Sequence, residues 1–440
     1  MKRTQLLAGL GVAYLSLSRV VPALALDPGF GSGGEVAVYA QNGGAVSVAI
    51  QPDGKTLALS GTDSGSVLLV RFTASGQLDS TFGTGGMSIH FGSPDNFIAS
   101  AMLLQPDGRI LVAGAVISSS IERMFVSRFL TNGDVDVAFG SGGLVTTDFP
   151  GLSAGAAALA LGADGKIVIA GTAGAFGSLD FAAARFASNG ALDASFGAGG
   201  RVVVDMGGGS LVEGARGVVI EADGRIVLAG VSDAAEKGFA LLGLEPDGSV
   251  DAAFGNSGRA FPALGIEAEC QAVVLQNDGK IVASGILGPS ATMIAIRVLP
   301  NGAVDPSFGE AGIAKIFSGA GSAAAAIDGA GRILLAGSPG FVLGRLTPTG
   351  QPDQALGPGG WVQGLSDGGA QHHVSAVSLA VGADGRIVLG GSQDVVTLEE
   401  MVLLRYVEAP TPVPALSEGF FLLLLGALGA AGWLAARRFA

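Results

Sequence analysis

An all-β ring of seven four-stranded antiparallel blades, a β-propeller, is what this 440-residue sequence predicts, and three observations predict it. An aliphatic residue followed by Asp-x-x-Phe-Gly recurs at Asp27/Phe30, Asp79/Phe82, Asp136/Phe139, Asp193/Phe196, Asp251/Phe254 and Asp305/Phe308, with a degraded seventh copy at Asp353-Gln354-Ala355-Leu356-Gly357. Between these copies lies Asp-Gly followed by Lys or Arg and an aliphatic run, at Asp53, Asp107, Asp164, Asp223, Asp278 and Asp384, eroded at Asp328. The third signature is an apolar run ending in Arg, at Arg71, Arg128, Arg185, Arg297, Arg345 and Arg405, with Gly243 as the exception. Each signature counts seven, and the first recurs every 48 to 58 residues.

One unit reads as four strands: Met87 to Phe91, Ala99 to Leu104, Ile110 to Ala115 and Met124 to Phe129. The turns Pro106-Asp107-Gly108 and Asn132-Gly133 join apolar runs, and Gly accepts the positive φ a tight hairpin needs, so the sheet is antiparallel. The runs are continuously apolar, as in Ile110-Leu111-Val112-Ala113-Gly114, which suits sheets covered on both faces. A unit too small to bury both faces alone, repeated seven times, closes into a propeller. The rival β-solenoid or calcium-binding nonapeptide roll would need a shorter period.

The ends differ from the middle. Lys2 and Arg3 precede an apolar stretch from Leu6 to about Ser18 and then Pro22-Ala23-Leu24-Ala25, so residues 1–25 read as a signal peptide with Ala23 and Ala25 framing cleavage after Ala25. Residues 26–408 are the seven-repeat propeller and 409–413 a Pro-rich linker. Residues 414–440 begin with Pro414, Leu416, Ser417 and Glu418, continue as an uncharged transmembrane helix over 419–436, and end in Arg437 and Arg438, which stay cytoplasmic. The expected partners are therefore the Sec translocon, signal peptidase and the membrane itself.

Pro414-Ala415-Leu416-Ser417-Glu418, the span and the basic end resemble the IPTL-CTERM class of bacterial sorting tails, relatives of PEP-CTERM. That resemblance implies a Gram-negative host, an exosortase-like sorting protease, transient inner-membrane anchoring and delivery to the cell surface or medium. The repeat, with Gln105-Pro106-Asp107-Gly108-Arg109-Ile110-Leu111-Val112-Ala113-Gly114 as a close match, resembles the delta-60 repeat of bacterial surface and secreted proteins. Membership would imply a propeller-like fold and assigns no activity.

The chain has 24 basic and 37 acidic residues, and without the terminal segments it carries 19 against 36, a net −17 that repels phosphate backbones and argues against nucleic acid. One cysteine, Cys270, excludes intramolecular disulfides and thiolate metal sites, and reads as a buried small hydrophobe. The repeated aspartates read as turn acceptors rather than calcium ligands, since one carboxylate per loop is too few for a calcium shell. The repeated Phe reads as a plug between blades, and the repeated Arg as pairing with a neighbouring acid or carbonyl. His90, His372 and His373 read as loop or core residues, Glu267, Glu269 and Cys270 as a small cluster before a strand, and Trp361 and Trp433 as too few for a stacking site. No catalytic, cofactor-binding or metal-binding residue is assigned, and no nucleophile elbow, P-loop or dinucleotide fingerprint is present in the required context. The expected function is a non-catalytic interaction or scaffold module binding a surface protein or polymer. The alternatives are a hydrolase or lactonase-type enzyme with a carboxylate-bound metal, and a self-associating surface-layer component.

Overall fold

The computed structural model describes residues 24–408 apart from 41–42, 120, 176–177, 208–212, 234–237, 320, 366–373 and 396–397. Seven antiparallel sheets, six of four strands and one of five, follow one another along the chain. Blade 1 is Ser47–Ile50, Thr56–Gly61, Val67–Phe72 and Met87–His90; blade 2 is Asn96–Leu104, Ile110–Ser118, Ile121–Phe129 and Leu144–Thr147. Blades 3 to 6 repeat the order, with first strands Ser153–Leu161, Gly214–Ile220, Ala268–Leu275 and Gly321–Ile327. These first strands pack on one another from blade to blade around the axis.

Blade 7 is made from both ends of the chain. Val374–Val381, Ile387–Val395 and Leu398–Glu408 supply three strands, and the fourth is Glu35–Tyr39 from the N-terminal side, paired Glu35↔Leu404 through Tyr39↔Glu400. Leu24–Leu26 adds to the same last strand, Leu24 opposite Glu408 and Leu26 opposite Tyr406. The sequence repeat and the blade are therefore one strand out of phase. Each Asp-x-x-Phe-Gly segment joins a blade's third strand to its outer fourth, so Met87–His90 completes the blade of Ser47–Phe72 rather than opening the next one.

The aliphatic runs are central strands, buried on both faces, and they form the core between successive blades: Leu111, Val126 and Phe139 pack with Ile167, Ile169 and Phe186. The small residue ending each run has a mechanical reason. The inner strands of blades 2 to 7 carry a register shift, between Ala99 and Ala101 in blade 2, which pushes a carbonyl toward the neighbouring strand; a Cβ on Gly114 would lie 2.0 Å from the Ile98 oxygen. Glu269 and Cys270 lie within the strand Ala268–Leu275, not before it, and Cys270 is fully buried, with burial pushing its thiol up to about 12. Among the described residues no helix is long and apolar enough to cross a membrane; the expected span 419–436 lies outside them.

Candidate functional site

The antiparallel order sorts the loops onto two faces. Turns between first and second strands share one face with the segments between third and fourth strands; the remaining connections lie on the other. On the first face every turn is five residues long (51–55, 105–109 and so on to 382–386), and all six segments from third to fourth strand within blades 1 to 6 are fourteen (73–86, 130–143, through 347–360). On the second face the connections run from two residues (119–120) to ten (364–373).

The constant face is constant because its side chains interlock. Arg71 Nε donates to Asp79 Oδ2 at 2.8 Å, Lys55 Nζ stands 3.1 Å from the same oxygen, and Asp79 Oδ1 accepts from Thr81 N at 3.1 Å and Oγ1 at 2.7 Å. The guanidinium reaches on: Arg71 Nη1 donates to Thr131 O of the next blade at 2.6 Å, as Arg128 does to Ser188 O and Arg297 to Pro348 O. Beneath it lies the plug, with Arg71 4.5 Å from the Phe82 ring centroid, and the same stacking at Phe139, Phe196, Phe308 and Phe30. Asp27 closes the ring, its Oδ2 accepting from Arg405 Nε at 2.8 Å.

Blade 4 has no such Arg. A Cβ on Gly243 would meet Phe254 at 2.6 Å, and Arg225 serves Asp251 instead at 3.5 Å while also bonding Glu221 at 2.9 Å. The carboxylates of Asp27, Asp79, Asp136, Asp193, Asp251 and Asp305 each accept from a backbone N–H two residues on, and the six Phe are buried. For Asp193 and Asp305 the bonds from Ser195 and Ser307, then Lys and Arg charges, outweigh burial and hold the carboxyl well below the usual range. For Asp79 burial opposes the same result, and the bonds from Thr81 and Lys55 prevail. The repeated Arg, expected to pair with a neighbouring acid or carbonyl, does both, and the acid is the Asp eight residues on: Arg71 to Asp79, Arg128 to Asp136, Arg297 to Asp305.

The variable face holds what the repeats do not share. Ile98, Ile121, Phe261 and Ile266 are 40–48% exposed there, and a cleft of about 570 Å³ opens between Ile121, Phe149 and Leu152, beside the Arg123–Asp148 ion pair. Between blades 3 and 4, Asp180, Asp205 and Glu213 bring carboxylate oxygens within 4.8 Å of one another. Burial, then Asp205 and Glu213, pushes the Asp180 carboxyl up. Glu213 is buried and accepts from Met206 N at 3.2 Å and Ser232 Oγ at 2.6 Å. No sequence signal joined these three: Asp180 lies on the strand Ser178–Phe186, and Asp205 and Glu213 stand at the two ends of the connection between Arg201–Val204 and Gly214–Ile220. His90 sits on an outer strand with Nε2 3.2 Å from Gly133 O, and Trp361 packs on Phe317 with ring centroids 4.2 Å apart. Ala25 lies on a strand opposite Val407; Ala23, His372, His373, Pro414, Leu416, Ser417, Glu418, Trp433, Arg437 and Arg438 lie outside the described residues.

Five segments, 51–82, 105–139, 162–196, 221–254 and 276–308, match the model of a family described as a domain of unknown function (DUF5122) beta-propeller. The chain is a β-propeller repeat protein. The matched segments of this propeller each begin at a constant-face turn and end at or next to the plugging Phe. Among solved structures it is similar to a protein of unknown function from Dyadobacter fermentans (11% identity, 88% of this chain and 100% of that one, TM-score 0.45). It is also similar to YCF48 bound to D1 peptide (15%, 88% and 100%, 0.46) and to a gluconolactonase from Xanthomonas campestris (12%, 77% and 90%, 0.38). No curated protein is a significant match.

Proposed function

We propose that this propeller is an exported, non-catalytic interaction or scaffold module of a Gram-negative cell envelope, sorted to the surface through its C-terminal tail, and that it binds its partner with the variable face. The division between the two faces carries the reading. A face on which six of the seven turns place a Lys or Arg against a ring Asp, and whose longer segments give carbonyls to arginines of the preceding blade, has little freedom to be shaped around a ligand, whereas connections of two to ten residues have it. The inner strands are mostly Ala, Gly, Val, Ser, Leu and Ile, with Arg216 and Glu269 as their charged residues, so they are poor in the carboxylates a metal-dependent hydrolase needs.

The test uses the full-length chain as bait on envelope fractions. Ile121→Glu with Phe261→Glu abolishes capture of the partner, and Asp107→Ser with Asp278→Ser, on the constant face, does not; equal effects from both pairs overturn the reading. For the address, replacing Pro414 and Ser417 traps the protein in the membrane fraction, and unchanged release refutes sorting. One observation favours a second reading: Asp180, Asp205 and Glu213 supply three carboxylates of the kind a metal-dependent enzyme would use. A rise in melting temperature with calcium or manganese, removed by chelator and absent in Asp205→Asn, would support it.

A further inference from the structure

The junction between blades 6 and 7 is filled differently from the other six. At the five junctions from blade 1 to blade 6 the plugging Phe faces a turn Gly of the following blade: a Cβ on Gly133 would stand 2.8 Å from the Phe82 ring, and one on Gly190 3.1 Å from Phe139. Between blades 6 and 7 the plug is Leu356, and the last strand runs on to Glu408 instead of turning. Incoming Leu24–Leu26 takes the place of the second half of that turn. Ile110 pairs with Phe129 as Ile387 pairs with Tyr406, and Phe129 bridges Val135 as Tyr406 pairs with Leu26; counting back two residues puts Leu24 where Gly133 stands. Leu24 is 8% exposed and shares a core with Leu356, Leu343 and Tyr406. The large and small residues of those five junctions become two of middle size at this one.

We infer that, if the chain is exported as proposed above, the signal is removed after Ala23 and the mature protein begins at Leu24, not at Leu26. Val21-Pro22-Ala23 places small uncharged residues at the first and third positions before that bond, just as Ala23-Leu24-Ala25 does for the later one, so both bonds suit the peptidase. The fold separates them. Cutting after Ala25 discards the side chain that fills the junction and the pairings Leu24↔Glu408 and Ala25↔Val407. Hydrolysis of the Ala23–Leu24 bond consumes one water, leaving a carboxylate on Ala23 and an α-ammonium on Leu24.

The full-length chain, expressed in a Gram-negative host and recovered from the envelope or medium, is read by intact mass and N-terminal sequencing. A start at Leu24 is expected, and Ala25→Glu, at an exposed position, is processed as wild type because it blocks only the later bond. A start at Leu26, or loss of processing in Ala25→Glu, overturns the inference and leaves export standing. A protein that retains Met1 overturns export itself and this cut with it. Leu24→Ala lowers the melting temperature of the recovered protein by about 3 °C, and an unchanged melt overturns the junction role.

Discussion

Phe139→Ala tests the plug. The ring is fully buried, with the Arg128 guanidinium 4.6 Å from its centroid and the Gly190 backbone of the next blade against its other side. Truncating a buried Phe to Ala costs about 3–5 kcal/mol, and losing the stacked cation adds about 1 kcal/mol. The unit Leu24–Glu408 unfolds with an entropy of roughly 0.8 kcal/mol/K at the usual per-residue value, so the melting temperature falls by about 5–7 °C. Phe139→Leu is the control, because Leu356 occupies the equivalent place in the last copy; it costs about 1–1.5 kcal/mol and about 2 °C. Scanning calorimetry of the three proteins at neutral pH decides. A Phe139→Ala protein melting within about 1 °C of wild type, or no difference between Ala and Leu, would refute the claim that this ring holds adjacent blades together.

Stability falls as pH drops below the ordinary carboxylate range near 4, because Asp79, Asp193 and Asp305 titrate lower in the fold than in the unfolded chain; their contribution is complete above the unfolded pKa and disappears as they protonate. Asp305→Asn should flatten that acid limb in melts from pH 6 to pH 2, and an unchanged slope would contradict the pairing. Asp180 has the opposite sign: its raised pKa means the charged form weakens the fold at neutral pH and the cost vanishes on protonation, so Asp180→Asn raises the melting temperature at pH 7 and the gap closes near pH 4. A lower melt at pH 7 would mean that the carboxylate is engaged by a cation. Leu356→Phe overpacks the junction against Leu24 by about 1–3 kcal/mol, whereas Leu356→Phe with Leu24→Gly restores the large–small pair. Additive losses in that double variant would disprove the equivalence of Leu24 and Gly133.

The ring and the blade count were legible because each rests on local chemistry: an Asp-Gly turn, an apolar run, and a spacing that recurs. The strand phase was not, since Met87–His90 looks the same whether it opens one sheet or finishes the one before it. The closing strand was hidden for the same reason; Glu35–Tyr39 has the half-exposed pattern of every outer strand, and only its distant partner Leu398–Glu408 marks it. The repeated Arg was expected to meet an acid or a carbonyl, but the particular partner, the Asp eight residues on, was not named although the interval is fixed. Asp180, Asp205 and Glu213 could not be found at all, because what unites them is the packing of blade 3 on blade 4 and no shared spacing.

The meeting of the two chain ends inside one sheet has a consequence for how freely the gene could be rearranged. The gap between Val407 and Ala25 stands where blade 2 has the short turn 130–134, so a comparable linker there would erase the distinction between the seventh blade and its fellows. Such a fused molecule could be opened at any of the five-residue turns with every strand keeping its neighbours. The strand at which the chain enters the ring is then an accident of this ring rather than a requirement of it.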